Sequence, residues 1–291
     1  LQLNLKYFNH TKTNYSYKFD GKPNQKNLLN NNIYKILDEK KISRKNKITD
    51  LQKNLAASVQ KIFEDKLIYV LNKIKSLNFS KNLVYAGGCA LNSSANRLLT
   101  NNNKYFNHVF IPSAPGDSGG ALGAAFLVYA KKYNKKIKQA QSPYLGNNYS
   151  NYEIKKLITK KNYKNKIKYK FIKNEKNLLK IVSKLISKGN VIGWFQDKVE
   201  FGPRALGNRS ILADPRNPKM KEIINKKIKR RESFRPFAPS VLKEFQTSWF
   251  ESNFNNLYMS SVSMVKKTKK KLIPSVTHVD GTARLQTVSL K

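Results

Sequence analysis

His108-Val109-Phe110-Ile111-Pro112-Ser113-Ala114-Pro115-Gly116-Asp117-Ser118-Gly119-Gly120 runs directly into the apolar stretch Ala121–Ala130. A short β-branched and aromatic run, a Pro/Gly/Ser loop and a helix-length apolar segment predict strand, loop and helix in that order. The same order precedes it: Leu83-Val84-Tyr85-Ala86 is closed by Gly87-Gly88 and followed by a helix-compatible stretch, Ala90–Leu99. Two successive units of this kind predict an α/β domain whose ligands sit at the strand-to-helix loops. Upstream, Leu51, Leu55, Val59, Ile62, Phe63, Leu67, Val70, Leu71, Ile74 and Leu77 recur at helical spacing, with Thr49 or Asp50 able to cap the start. Residues 1–48 are polar and poorly periodic, and only one short helix is expected there, around Leu28–Leu37.

Residues 131–150 combine Lys and Asn with Pro143 and Gly146, and the domain boundary is expected there, with residues 1–140 on one side and 141–291 on the other. Beyond it, Ile167, Tyr169 and Phe171 alternate as a strand would, and Leu178, Leu179, Val182, Leu185 and Ile186 mark a helix ended by Gly189. A strand at Val191–Phe195, a helix near Lys219–Lys229 and strands near Leu257–Val265 and Arg284–Leu290 complete a mixed α/β second domain.

The net charge is +40, from 57 Lys plus Arg against 17 Asp plus Glu. Such a balance suits an anionic partner. Most of it, however, is Lys scattered through Asn-rich stretches, which reads as a biased composition on a solvated surface rather than a nucleic-acid motif. It can still draw in anionic substrates such as ATP. Cys89 is the only cysteine, so neither an intrachain disulfide nor a cysteine zinc cluster can form. The longest unbroken apolar stretch, about Ala121 to Ala130, is far short of a membrane span. A cytoplasmic protein is the expectation.

Five features carry chemistry. Ala86-Gly87-Gly88-Cys89-Ala90-Leu91-Asn92 puts glycines where a strand turns into a helix, so that backbone N–H groups can face an anion, or simply make a tight turn. Asp117, flanked by glycines at a helix start, suits a metal or a hydroxyl, or an N-cap. Glu200-Phe201-Gly202-Pro203-Arg204-Ala205-Leu206-Gly207-Asn208-Arg209-Ser210-Ile211-Leu212-Ala213-Asp214-Pro215-Arg216 places three arginines amid Gly and Pro in a chain otherwise rich in Lys. Arginine in that setting suggests planar, bidentate recognition of phosphate or carboxylate. Lys229-Arg230-Arg231-Glu232-Ser233-Phe234-Arg235-Pro236 adds a basic helix end, in which Arg230 and Arg231 read as solvated charge. Thr277-His278-Val279-Asp280-Gly281-Thr282-Ala283-Arg284 concentrates His, Asp and Arg in one strand entry.

Together, Ala86–Asn92, Pro112–Ala125, Glu200–Arg216, Phe234–Ser240 and Thr277–Val288 resemble, in order, the carbamoyltransferase family that includes nodulation and antibiotic-biosynthesis O-carbamoyltransferases. The resemblance implies the C-terminal part of an actin-like ATPase-fold (ASKHA) domain followed by a YrdC-like mixed α/β domain. It implies two steps: carbamoyl phosphate reacts with ATP to give carbamoyl adenylate and pyrophosphate, and a hydroxyl of a sugar or natural-product acceptor then takes the carbamoyl group. A divalent metal, iron by analogy, assists the second step, and Mg²⁺ accompanies ATP. Arg204, Lys229, Arg235 and Arg284 correspond to residues that hold carbamoyl phosphate and ATP, with Arg209 and His278 as further candidates. Gly88 and Asn92 correspond to positions that hold the adenylate, and Asp117 to a metal ligand.

The family's paired metal-binding histidines are expected N-terminal to the residues given, and its asparagine-rich loop after Thr287 is absent, so the chain reads as a piece of a longer enzyme with little complete-transfer activity alone. His10 and His108 do not make that pair and read as structural or surface residues. Rival readings are a tRNA-modification or hydrogenase-maturation carbamoylation protein and, from charge alone, a basic nucleic-acid-binding protein. The order of the two parts favours the O-carbamoyltransferase. Neither a specific nucleic acid nor a membrane is expected as partner, and a homodimer is possible.

Overall fold

The computed structural model describes residues 4–7, 30–36, 48–100, 105–135, 142–160 and 167–289. Residues 1–67 and 68–291 form two compact units. The first contains the short helix α1 (Asn32–Ile36) and most of α2 (Asp50–Ser76). Leu28 and Leu37, the expected ends of α1, lie outside the described residues, as does His10. Helix α2 starts where the sequence predicts and opens on a capping box. The Thr49 hydroxyl accepts from the Gln52 N–H at 3.3 Å, and the Gln52 side chain accepts from the Thr49 N–H at 3.2 Å.

The second unit begins with the two expected strand–loop–helix units. Strand β1 (Asn82–Val84) leads into a turn of 3₁₀ helix at Gly88–Leu91 and then α3 (Ser93–Thr100). Strand β2 (His108–Phe110) leads into α4 (Asp117–Tyr133). The strands pair in parallel with Leu83 opposite Val109. Parallel pairs are usually covered on both faces. Here Val84 and Phe110 are 71% and 44% exposed, and α4 buries no residue.

Further along come α5 (Asn151–Ile158), which the sequence reading did not anticipate and which a Ser150–Glu153 capping box starts, and α6 (Glu175–Ser187). Antiparallel β3 (Ile192–Phe195) and β4 (Arg209–Leu212) follow. A four-residue helix, α7 (Met220–Ile223), continues as a π-helical turn over Ile224–Lys229. Strand β5 (Ser240–Leu242), α8 (Gln246–Trp249), β6 (Ser263–Met264), β7 (Thr282–Ala283) and β8 (Gln286–Val288) complete the order. β5 pairs in parallel with β8, and β6 pairs antiparallel with β7. The core lies here, with Phe250, Val265, Ile273, Val276, Ala283 and Leu285 buried against Phe237, Val241 and Trp249.

Two expected strands differ. Residues 167–171 form no strand, and Tyr169 and Phe171 are exposed, because an alternating pattern needs a partner edge and finds none among the described residues. The strand expected at Leu257–Val265 shrinks to Ser263–Met264 because side chains replace the ladder. Asn256 Nδ2 donates to the Ser261 carbonyl at 2.6 Å, and Gln246 Nε2 donates to the carbonyls of Ser252 and Phe254 at 2.8 Å each.

Segments far apart in sequence are joined by buried polar groups. Asn96, fully buried on α3, donates to the carbonyls of Ala90 at 2.8 Å and Ser260 at 2.7 Å. Beside it the hydroxyls of Thr100 and Ser261 bond at 2.7 Å, and the Val262 N–H donates to the Ser93 carbonyl at 3.1 Å. These bonds tie residues from either side of position 140 to one another within residues 68–291. Asn96→Ala strands two buried carbonyls and should cost about 2–4 kcal/mol in urea unfolding, since each unsatisfied buried group costs about 1–3 kcal/mol.

Candidate functional site

The site is built around the loop from Gly202 to Asn208. Its anchor is Glu200, whose buried carboxylate accepts from the backbone N–H groups of Leu206 at 2.7 Å, Asn208 at 2.8 Å and Arg209 at 3.1 Å. Burial pushes the Glu200 carboxyl up, but the backbone donors, led by Leu206, outweigh it and hold the pKa below the ordinary value. The Leu206 carbonyl is fixed in turn by the Tyr144 hydroxyl at 3.1 Å and by Gln286 Nε2 at 2.8 Å. Gly202 takes φ +129°, and a Cβ there would stand 2.6 Å from the Ser113 carbonyl oxygen, so only glycine lets this loop rest on the loop after β2.

This scaffold holds Arg204 half-buried, and burial lowers its pKa. Arg284, between β7 and β8, is lowered to about 10, first by burial and then by the neighbouring charges of Arg204 and Arg231. Arg284 Nε is buried without a hydrogen-bond partner. Arg231 is half-buried over the Phe237 ring at 5.0 Å, and its Nε donates to Asn225 Oδ1 at 2.7 Å. Burial and then the charge of Arg235 lower its pKa, against an opposing pull from Glu232. His278 Nε2 is also buried without a partner. Among the described residues no carboxylate lies within ion-pair distance of Arg204, Arg231 or Arg284. Cations gathered without counter-charge, with unpaired donors, are suited to an anion carrying several oxygens.

Of the residues anticipated from sequence, Arg204, Arg284 and His278 are thus brought together. Arg235 stands at the rim, exposed and paired with Glu232 at 2.8 Å. Lys229 and Arg209 are exposed. Arg216 finds its carboxylate inside the chain, in a bidentate bond to Asp214 with contacts of 2.6–3.0 Å. Arg231, read from the sequence as solvated charge, is a correction: it belongs to the cluster, because Asn225 and Phe237 pull it inward. Lys221, whose charge bears on His278, is an addition. Both are lysine or arginine within a basic run, where charge alone gives no signal of direction.

At the other loops, Gly87 has φ +98°, and Gly88 has open space where a Cβ would stand. The Gly87 N–H donates to the Pro115 carbonyl at 2.7 Å, which ties the two strand-to-helix loops together. Asn92 Oδ1 accepts from the Ala95 N–H at 3.1 Å and so caps α3. Asp117 is not a cap: Gly116 holds that place, and Asp117 is an exposed carboxylate in the first turn of α4. Among the described residues no group of three His, Cys, Asp or Glu is gathered to hold a metal ion. No helix among them is long and apolar enough to cross a membrane.

The sequence model of the carbamoyltransferase N-terminus matches residues 4–126, and that of the carbamoyltransferase C-terminus matches residues 183–291. The chain belongs to the carbamoyltransferase family. An uncharacterized protein of Methanocaldococcus jannaschii is 40% identical over 262 residues, covering 89% of this chain and 42% of that relative. Nodulation protein NolNO of Sinorhizobium fredii is 39% identical over 247 residues, 83% of this chain and 35% of the relative. Nodulation protein NolO of Bradyrhizobium diazoefficiens is 36% identical over 248 residues, 84% and 44%. This carbamoyltransferase chain therefore spans less than half the length of these relatives. Its arginine cluster and His278 lie in the C-terminal match, whereas Gly88, Asn92 and Asp117 lie in the N-terminal one.

Proposed function

We propose that the protein containing this chain activates carbamoyl phosphate with ATP to carbamoyl adenylate and transfers the carbamoyl group to a hydroxyl of a small-molecule acceptor. The observation that carries this reading is the cluster of Arg204, Arg231 and Arg284 beside His278, its arginines ion-paired to no carboxylate among the described residues and two of its buried polar atoms unpartnered. Activation brings two polyanions together, so fixed cations must offset their repulsion. One water is consumed, and phosphate and pyrophosphate both leave. In this reading residues 141–291 form the YrdC-like adenylate-forming domain, and residues 1–140 the C-terminal part of an actin-like transfer domain. Further elements of that domain would cover the exposed faces of β1, β2 and α4.

The metal of the transfer step finds one candidate ligand here, Asp117, and a single exposed carboxylate does not hold a metal by itself, so no step is assigned to one. Asp117 would join ligands from outside the described residues.

The test is carbamoyl-phosphate-dependent exchange of labelled pyrophosphate into ATP by the full-length protein. Exchange should fall about 10- to 100-fold in Arg204→Ala, the loss of a charge-assisted contact of about 1.5–3 kcal/mol. Folded wild-type protein that catalyses no exchange would retire the reading.

A further inference from the structure

We propose that Asp280 and Thr282 orient the His278 ring, and that His278 Nε2 takes up one proton from solvent when a phosphate-bearing anion enters the arginine cluster and offers it as a hydrogen bond to a phosphoryl oxygen. This rests on the reading of the cluster as a polyanion site and adds a proton to it.

The geometry fixes the direction of each bond. Thr282 Oγ1 lies 2.7 Å from Asp280 Oδ1, and a carboxylate only accepts, so the threonine hydroxyl spends its single proton there. The Asp280 carboxyl stays ionised: burial pushes it up, but the Thr282 N–H and hydroxyl, with His278 and Arg97 nearby, bring its pKa below the ordinary value. His278 Nδ1 lies 3.0 Å from the same Oγ1, which has only lone pairs left, so Nδ1 is the donor. The neutral ring therefore carries its proton on Nδ1 and presents a bare lone pair at Nε2. That atom is buried with no partner. The backbone closes the same unit, the His278 N–H donating to the Thr282 carbonyl at 2.7 Å.

An empty site keeps this ring neutral. Burial lowers the His278 pKa, and Arg284 and Lys221 lower it further against the single opposing charge of Asp280. An incoming dianion reverses the balance, since it offsets Arg284 and Lys221 and supplies an acceptor for Nε2–H. The sign follows: with the ring pKa lower in the free protein than in the complex, binding takes up a proton between those two values, and affinity falls as pH rises through that window. A ring that gains its proton only with ligand present adds a donor where one is needed, without adding another unpaired cation to the empty cluster.

The experiment uses the full chain with ring-labelled histidine, followed by NMR, and sulfate as the probe, because sulfate does not itself titrate near neutrality. The chain has 3 histidines, so His278→Gln identifies the signal. The His278 ring should titrate below 6.5 without sulfate and about one unit higher at saturation, which makes sulfate bind about three- to sixfold more weakly at pH 8 than at pH 6. Sulfate affinity in His278→Gln should vary less than about twofold over that range, and Thr282→Val should shrink the ring's shift. Sulfate that binds without moving the ring pKa overturns the proton uptake and leaves the polyanion site standing. Sulfate that does not bind wild-type chain at any pH overturns both. The wild-type ring reports directly, so the outcome does not depend on a variant folding.

Discussion

Arg284→Met should weaken sulfate binding about 10- to 100-fold while leaving the ligand-free chain as stable as wild type, or more stable. The first half follows from removing a guanidinium whose Nε is buried and unpartnered; charge-assisted contacts are worth about 1.5–3 kcal/mol each. The second half follows from what that guanidinium endures when the site is empty. Its pKa is lowered to about 10 by burial and by the charges of Arg204 and Arg231. Because the folded-state pKa lies below the unfolded one, the unfolded chain holds the proton more tightly, and the charged arginine opposes folding at every pH below about 10. The penalty is on the order of 3 kcal/mol at neutral pH and is relieved only as pH rises from about 10 towards the unfolded value. Methionine fills similar space and has no charge to desolvate. Thermal melts with and without sulfate separate the two halves: wild type should gain Tm with sulfate, and the variant should start at least as high and gain little. A variant that loses stability without ligand would show that Arg284 is a structural residue.

The trade of stability for charge explains which parts of the site were legible in the sequence. Arg204 and Arg284 stand out because arginine appears amid Gly, Pro and small residues, where composition bias towards Lys would have placed lysine. Arg231 does not stand out, since its neighbours Lys229 and Arg230 are exposed and nothing in Lys-Arg-Arg marks which one turns inward. What turns it is Asn225, fully buried, whose Nδ2 also donates to the Arg235 carbonyl at 2.9 Å. That asparagine draws the π-helical turn inward, and helical periodicity alone does not predict a change of pitch. The fold was legible where local pattern and tertiary role agree, as in β1 and β2 with their glycine turns and in α2 with its cap. It was not legible at residues 250–262, where Ser, Asn and Gln side chains bond the backbone directly and a propensity for strand is overridden by partners distant in sequence, as for the Asn256 N–H with the Thr287 hydroxyl and the Ser260 carbonyl with Asn96.

Glu200 invites the converse experiment, because its charge holds structure rather than ligand. Glu200→Ala should destabilise the chain by about 4 kcal/mol or more in urea unfolding. Three backbone N–H groups, those of Leu206, Asn208 and Arg209, lose a charged acceptor at 2.7–3.1 Å in a buried setting, and each contact to a charged group is worth about 1.5–3 kcal/mol before overlap is discounted. Glu200→Gln keeps an oxygen in the same place but not the charge, and about 1–2 kcal/mol should be lost. The carboxyl's pKa lies below its ordinary 4.5 in the fold, so its stabilisation is complete above the unfolded value and fades as pH falls through the folded one. Wild type and Glu200→Gln should therefore be fully separated in stability above about pH 5 and converge only as pH falls through the folded value, which lies below 4.5. The same loop presents Arg204, so sulfate binding should follow loop order: close to wild type in the glutamine variant, and lost in the alanine variant even below the urea concentration that unfolds it. Glutamine that abolishes binding without unfolding the chain would mean that the carboxylate's charge, and not loop order alone, sets the position of Arg204.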